Sequence, residues 1–154
     1  MSAYNKNTIK LKNYSDVNEE HTAGGTIYPG MLLLMSAADT VIAHNDDAPA
    51  NCAPLFAVED ELQGKGIDDS YVTGDPVQCW IPGRGDIVYA ILKDGENVAV
   101  GAFLESDGSG YLQAYTSGAV VGQALEALDL SGSSGEEESE SPFGYNKRIV
   151  VRII

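Results

Sequence analysis

The sequence predicts an all-β chain: a compact β-barrel or β-sandwich-like module with long loops and extended terminal segments. Three observations carry this reading. Short apolar or alternating runs recur along the chain, turn signals built on its 17 Gly and 6 Pro cut them apart, and almost no stretch keeps an apolar period of 3.6. A length of 154 residues fits one domain. Such a chain buries roughly 68–70% of its unfolded surface, enough for a core without metal or disulfides.

The elements follow in order. Ile9 and Leu11 alternate with Lys10 and Lys12, so residues 1–12 read as a basic N-terminal arm or edge strand and residues 13–154 as a single β-rich domain. Pro29-Gly30 starts a strand over Met31–Met35. A further strand, Pro76–Ile81 with Trp80, ends at Pro82-Gly83. Asp86–Leu92 and Asn97–Leu104 flank Lys93-Asp94-Gly95-Glu96. Asp-Gly is the dipeptide a tight hairpin prefers, because its second residue must tolerate positive φ, so these two strands are expected to form a hairpin. Ile87, Tyr89 and Ile91 oppose Val88, Ala90 and Leu92, and Val98 and Val100 oppose Ala99 and Phe103. Strands apolar on both faces belong to a barrel, a sandwich core or a subunit contact.

A second turn, Ser106–Gly110, leads into Tyr111–Thr116. Val120–Leu130 fits a helix through Val121, Leu125 and Leu128 and a strand through Val121, Leu125 and Ala127; we read it as strand. Ser131–Ser141, SGSSGEEESES, has no apolar residue and reads as an acidic flexible surface loop. The final segment puts Ile149, Val151 and Ile153 on one face and Arg148, Val150 and Arg152 on the other, as a half-buried strand requires. No internal repeat stands out.

The net charge of −14 leaves little means of neutralising phosphates, which argues against nucleic acid as a partner. The longest apolar run, around Met31–Met35, is far short of the ~20 residues that cross a bilayer, and no basic segment followed by an apolar one opens the chain. The expectation is therefore a soluble, unexported protein without a membrane partner. Lys6, Lys10 and Lys12 lie near one end, and Lys147, Arg148 and Arg152 near the other. Only Lys65, Arg84 and Lys93 stand between, while every acidic residue falls from Asp16 to Glu140. If the two terminal strands share a sheet, they make a basic patch on an acidic body. That patch is either a docking surface or a device that keeps edge strands from pairing with other chains.

Chemistry is sparse. There is no nucleophile elbow, P-loop, dinucleotide fingerprint or zincin helix, and we expect no catalytic, cofactor-binding or metal site. His44 beside Asn45, Asp46 and Asp47 is either a base with its orienter, a hard-cation loop, or an acidic turn after a strand; we favour the turn. Asp107 and Ser109 likewise read as a Gly-rich turn before a calcium loop. Asp68 and Asp69, being adjacent, point to opposite faces if extended. Arg84-Gly85-Asp86 spells a cell-adhesion tripeptide of a length that arises by chance. Cys52 and Cys79 are expected to be reduced, partly buried thiols.

Four segments in order, TIYPGMLLLMS, GKGIDDSYVTGDPVQCWIPGRGDIVYAILKDGENVAVGAFLESDGSGYLQ, VVGQALEALDLSGSSG and RIVVRII, resemble the head decoration (cement) proteins of tailed bacteriophages. Those carry a PGM strand, a GIDD-Y turn, a GD-strand-DG-N-strand hairpin followed by FL-S-G, and a closing RI-V-I strand. The resemblance covers most of the chain. It implies a turn-and-anchor segment at Gly64, Gly66 and Ile67 to Tyr71, a hairpin from Gly85 to Leu104 and a closing strand from Ile149 to Ile153. Also implied is a non-enzymatic protein without cofactor, made in the host cytoplasm, that binds the outer capsid surface of the virion and bridges major capsid protein subunits. It would act as a homo-oligomer, a dimer or a trimer, and we favour the trimer because a three-fold junction lets one module tie three neighbours together. The capsid-contact candidates are Lys6, Lys10, Lys12, Arg84, Arg148 and Arg152.

Two other readings compete. Trp80 and eight tyrosines suit a virion-displayed carbohydrate- or host-surface-binding β module, although Tyr71, Tyr89, Tyr111 and Tyr115 fall on or beside apolar strands. A hydrolase built on Asp68, Asp69 or His44 is the most distant.

Overall fold

The computed structural model describes residues 6–14, 16–45, 53–132 and 144–154. Asp46, Asp47, Cys52 and all of the acidic loop beyond Gly132 lie outside them. So do residues 1–5 of the basic arm.

The chain is all-β, as its turn spacing predicts. Its strands are β1 (Lys10–Lys12), β2 (Val17–Ala23), β3 (Leu33–Ala37), β4 (Thr40–Ala43), β5 (Phe56–Ala57), β6 (Pro76–Ile81), β7 (Ile87–Leu92), β8 (Asn97–Val98), β9 (Phe103–Ser106), β10 (Leu112–Ala114), β11 (Val120–Ala124), β12 (Leu128–Asp129) and β13 (Lys147–Ile153). A single 3-10 turn at Glu61–Gln63 is the helical element among the described residues. No helix there is long and apolar enough to cross a membrane.

Five strands close a barrel. β13 pairs with β7 over six positions and with β11; β11 pairs with β9, β9 with β10, and β10 returns to β7 through Leu112 opposite Leu92. β1 occupies the rest of β7's second edge. The two basic terminal strands therefore do share one sheet, on either side of β7. Closure needs sharp curvature, which a bulge in β11 between Val120 and Gly122 supplies. A Cβ on Gly122 would lie 2.7 Å from the Arg152 carbonyl oxygen, so the wall is tight there.

Beside the barrel lies a five-stranded sheet in the order β3-β4-β2-β6-β5. Two apolar clusters hold the molecule. The barrel interior, with Val88, Ala90, Leu92, Leu104, Leu112, Val121, Ile149, Val151 and Ile153, is joined by Ile9, Leu32, Phe56 and Trp80. The second cluster lies within the other sheet and takes in Ile91 from β7. β7 thus serves both cores, through Val88, Ala90 and Leu92 on one face and Ile91 on the other. Each fully buried Leu or Ile is worth about 1.5–3 kcal/mol.

The Asp94-Gly95 hairpin is corrected. The turn forms and Gly95 has φ of 87°, but its flanks do not pair with each other. Gly95 N–H donates to Leu130 O, Leu130 N–H to Glu96 O, and β8 pairs with β12. A second turn at Val100-Gly101, where Gly101 has φ of 90°, breaks the expected Asn97–Leu104 strand after two residues. The chain is then redirected into β9. The antiparallel hairpin is instead β9–β10, across Ser106–Gly110. Elsewhere β6 falls on Pro76–Ile81 as expected, and Val120–Leu130 is strand at both ends.

Candidate docking surface

β13 alternates as its sequence requires: Ile149, Val151 and Ile153 are buried in the barrel, and Arg148, Val150 and Arg152 face outward. Outward has two meanings on this wall. Around Arg148 it is covered by the neighbouring lobe, so Arg148 is 7% exposed. Its Nη1 donates to Asp68 Oδ1 at 2.9 Å, its Nε and Nη2 to Pro29 O, and Nη2 also to Ile67 O. Arg148 is therefore a strut between barrel and second lobe.

Toward the other end of β13 the wall is open. Register pairs place one continuous row of side chains across it: Tyr115 opposite Phe103, through Tyr115 N–H to Phe103 O at 2.9 Å, then Phe103 opposite Gln123, Gln123 opposite Arg152, Arg152 opposite Ile87, and Ile87 opposite Lys12. Directly paired residues present their side chains on the same face. Phe103 is 48% and Tyr115 46% exposed; Arg152 and Lys12 are exposed and Ile87 is half-buried. The row thus carries two aromatics, an amide, two cations and no carboxylate, on a chain of net charge −14.

The row's neighbours reinforce it. Gln123 Nε2 donates to Gly101 O and so holds the turn that presents Val100, 67% exposed. Lys12 Nζ lies 5.1 Å from the ring centre of exposed Tyr14. Tyr14 N–H donates to Asp86 Oδ1, Gly83 N–H to Asp86 Oδ2, and Gly85 N–H to Ile153 O. Those bonds bring exposed Arg84 to the end of the wall where Arg152 and Lys12 stand. Asp86, fully buried, is a turn organiser, which removes the adhesion reading of Arg84-Gly85-Asp86.

Glu105, two residues from Phe103 on the same face of β9, is only 4% exposed. Thr116 Oγ1, Gln113 Nε2 and the Gly118 N–H all donate to it, at 2.7, 3.0 and 2.5 Å. Burial alone would push its carboxyl up; these bonds outweigh burial and hold it down at about 2. The loop after Tyr115 is thereby clamped over the Glu105 carboxylate.

The remaining lysine candidates are spread. β1 slips register between Lys10, opposite Val88, and Lys12, opposite Ile87, which turns them to different sides. Lys10 Nζ binds Asp16 Oδ1 at 2.7 Å and Asn18 Oδ1, and sits 5.7 Å from the Trp80 ring centre. Lys6 Nζ stands 5.5 Å from that of Tyr89. The structure therefore places Lys12, Arg84 and Arg152 at one end of the open wall, Lys6 and Lys10 along the arm, and Arg148 under the second lobe. Local sequence signals do not mark Gln123 or Tyr115 as surface residues, whereas the parity of β9 around inward Leu104 points Phe103 outward.

The other chemical candidates are structural. His44 is 1% exposed, with Nδ1 2.7 Å from Ser106 Oγ, which accepts the Gly108 N–H; the pair ties the end of β4 to the β9–β10 turn. Asp107 Oδ1 accepts the N–H groups of Ser109 and Tyr111, so it caps its own turn. Asp68 goes to Arg148 and Asp69 to Gly66 N–H, on different partners as adjacent residues should. Trp80 is wholly buried and offers no stacking platform. Cys79 is free and buried, and burial pushes its thiol up to about 12. Among the described residues no group of three or more His, Cys, Asp and Glu is placed to hold a metal ion.

No family model matches the chain, and no curated protein does. Among solved structures it is similar to the head fiber gp8.5 N base of bacteriophage phi29, at TM-score 0.52 and 16% identity over 91% of this chain and 95% of that one. At that identity the two share a fold.

Proposed function

We propose that the chain is a non-enzymatic structural protein of a phage head that binds the outer surface of the assembled capsid through the open barrel wall. The row Tyr115–Phe103–Gln123–Arg152–Ile87–Lys12 carries this reading. It is the kind of patch a protein interface uses, with exposed aromatics and an arginine at hand and charge repulsion kept low. The fold shared with a head fiber base and the turn-and-strand order of cement proteins support it. The partner is major capsid protein presenting apolar side chains and carboxylates, with the chain acting as a homo-oligomer, a trimer by preference.

Cementing works by mass action. A protein that binds the assembled lattice and not the free subunit stabilises the shell by RT ln(1 + [L]/Kd), about 2.7 kcal/mol per site at a hundredfold excess over Kd. Bridging several subunits adds avidity. The test is to add purified protein to undecorated mature capsids. Saturable binding and a higher disruption temperature are expected; absence of binding to expanded heads would end the proposal.

A further inference from the structure

In the five-stranded sheet, β2 pairs with β6 from Val17 opposite Ile81 to Thr22 opposite Pro76. On its other side it meets parallel β4 only at Thr22 opposite Thr40 and Ala23 opposite Val41. β4 starts at Thr40 because the chain turns at Ala38-Asp39 back into β3, with Ala37 opposite Thr40. Ala23 N–H donates toward β6, to Asp75 O, whereas Thr22 and Gly24 N–H donate the other way, to Asp39 O and Val41 O. Alternation then aims the N–H and C=O groups of Asn18 and Glu20 along the side away from β6. Among the described residues no strand lies there, and Val17 to Glu20 are all exposed.

This edge is strongly acidic. Glu19 and Glu20 project to opposite faces of the sheet, with Asp16 at one end and Asp39 at the other. It already draws groups of its own chain: Lys10 Nζ to Asp16 and Asn18, and the imidazole of His21, whose Nε2 lies 2.6 Å from Glu19 Oε2 and Nδ1 3.1 Å from Asp39 Oδ1. Those carboxylates, Glu19 first, raise the imidazole's pKa. Charged side chains on an edge deter another copy of the same acidic strand, yet they favour a strand of opposite charge, since each cross-strand ion pair adds to the ladder.

We propose that the β2 edge over Val17–Glu20 takes an extended, lysine- or arginine-bearing segment of a partner protein as an added strand. Backbone groups of Asn18 and Glu20 supply the ladder, and Glu19 and Glu20 select adjacent basic side chains, one on each face. This site belongs to the five-stranded sheet and stands independently of the barrel-wall reading.

The full chain, 15N-labelled, would be titrated with a capped eight-residue peptide that has two adjacent lysines at its centre. Saturable binding is expected, with at least tenfold slower exchange of the Asn18 and Glu20 amides and no response to the matching glutamate peptide. Glu19→Gln with Glu20→Gln should weaken binding at least fivefold. Asn18→Pro removes an edge donor while sparing the β6 ladder and should weaken it similarly, whereas Arg152→Ala should leave it unchanged. No binding, unslowed Asn18 and Glu20 amides, or full binding by Asn18→Pro would each overturn strand addition.

Discussion

Arg148 and Arg152 occupy the same face of the same strand, four residues apart, and do opposite work. Arg148 is roofed by Pro29, Ile67 and Asp68 of the other lobe, and its guanidinium satisfies the buried Pro29 carbonyl and the half-buried Ile67 carbonyl. Arg152 looks out between Gln123 and Ile87. What separates a strut from an exposed cation here is the lobe packed over one half of the wall. Covered cations are committed to stability, and only uncovered ones remain for a partner.

The largest effect should come from the covered half. Arg148→Ala leaves the Pro29 and Ile67 carbonyls without their donor and should cost about 2–4 kcal/mol, below the usual figure for a broken buried pair because Asp68 is 65% exposed. In a thermal melt that is a fall of roughly 5–15 °C. Arg152→Ala should stay within about 0.5 kcal/mol of the parent. Equal losses would erase the distinction between the two arginines.

Next comes Glu105, which links the halves because it is a sealed charge on the open wall. Its folded pKa is about 2 against an ordinary 4.5, so the unfolded chain binds more protons between those values. The stabilisation is complete above about pH 4.5 and lost as pH falls toward 2, on the order of 3 kcal/mol in all. Denaturant titrations at stepped pH should show a smaller acid loss in Glu105→Gln than in the parent. Equal slopes would mean that the clamp on the 116–118 loop does not hold the charge.

On the open half the effects should appear in capsid occupancy and not in melting. Phe103→Ala with Tyr115→Ala should reduce binding to mature capsids about tenfold, equivalent to about 1.4 kcal/mol, with a melting temperature near that of the parent. Smallest of all, Arg152→Ala or Lys12→Ala should each weaken occupancy a few-fold at low salt and less at high salt, where screening already removes most of an exposed charge's contribution. A salt-independent loss would point to packing.

Much of the fold is legible in the chain because its signals are local. Pro76–Ile81 reads as strand through its composition and its Pro-Gly stop; β13 declares its inner and outer faces by parity alone. The failure at Asp94-Gly95 is equally instructive. The turn is local and forms, but pairing across it depends on how far each flank stays straight, and Gly101 ends one flank after two residues. Leu128 and Val98 then pair across a large sequence distance, which no dipeptide encodes. Tyr115 follows an apolar strand, a position that suits a core or interface residue; its exposure follows from pairing with Phe103 on the outer wall.

The residue sequence by itself determined the class of structure, the positions of many strands and the inward and outward faces of β13, since these depend on turn chemistry and a two-residue repeat. Tertiary structure alone decided which outward faces meet solvent. Barrel closure and the packing of the second lobe are contacts between residues far apart in the chain, and they cover Arg148 while leaving Arg152, Phe103 and Tyr115 open.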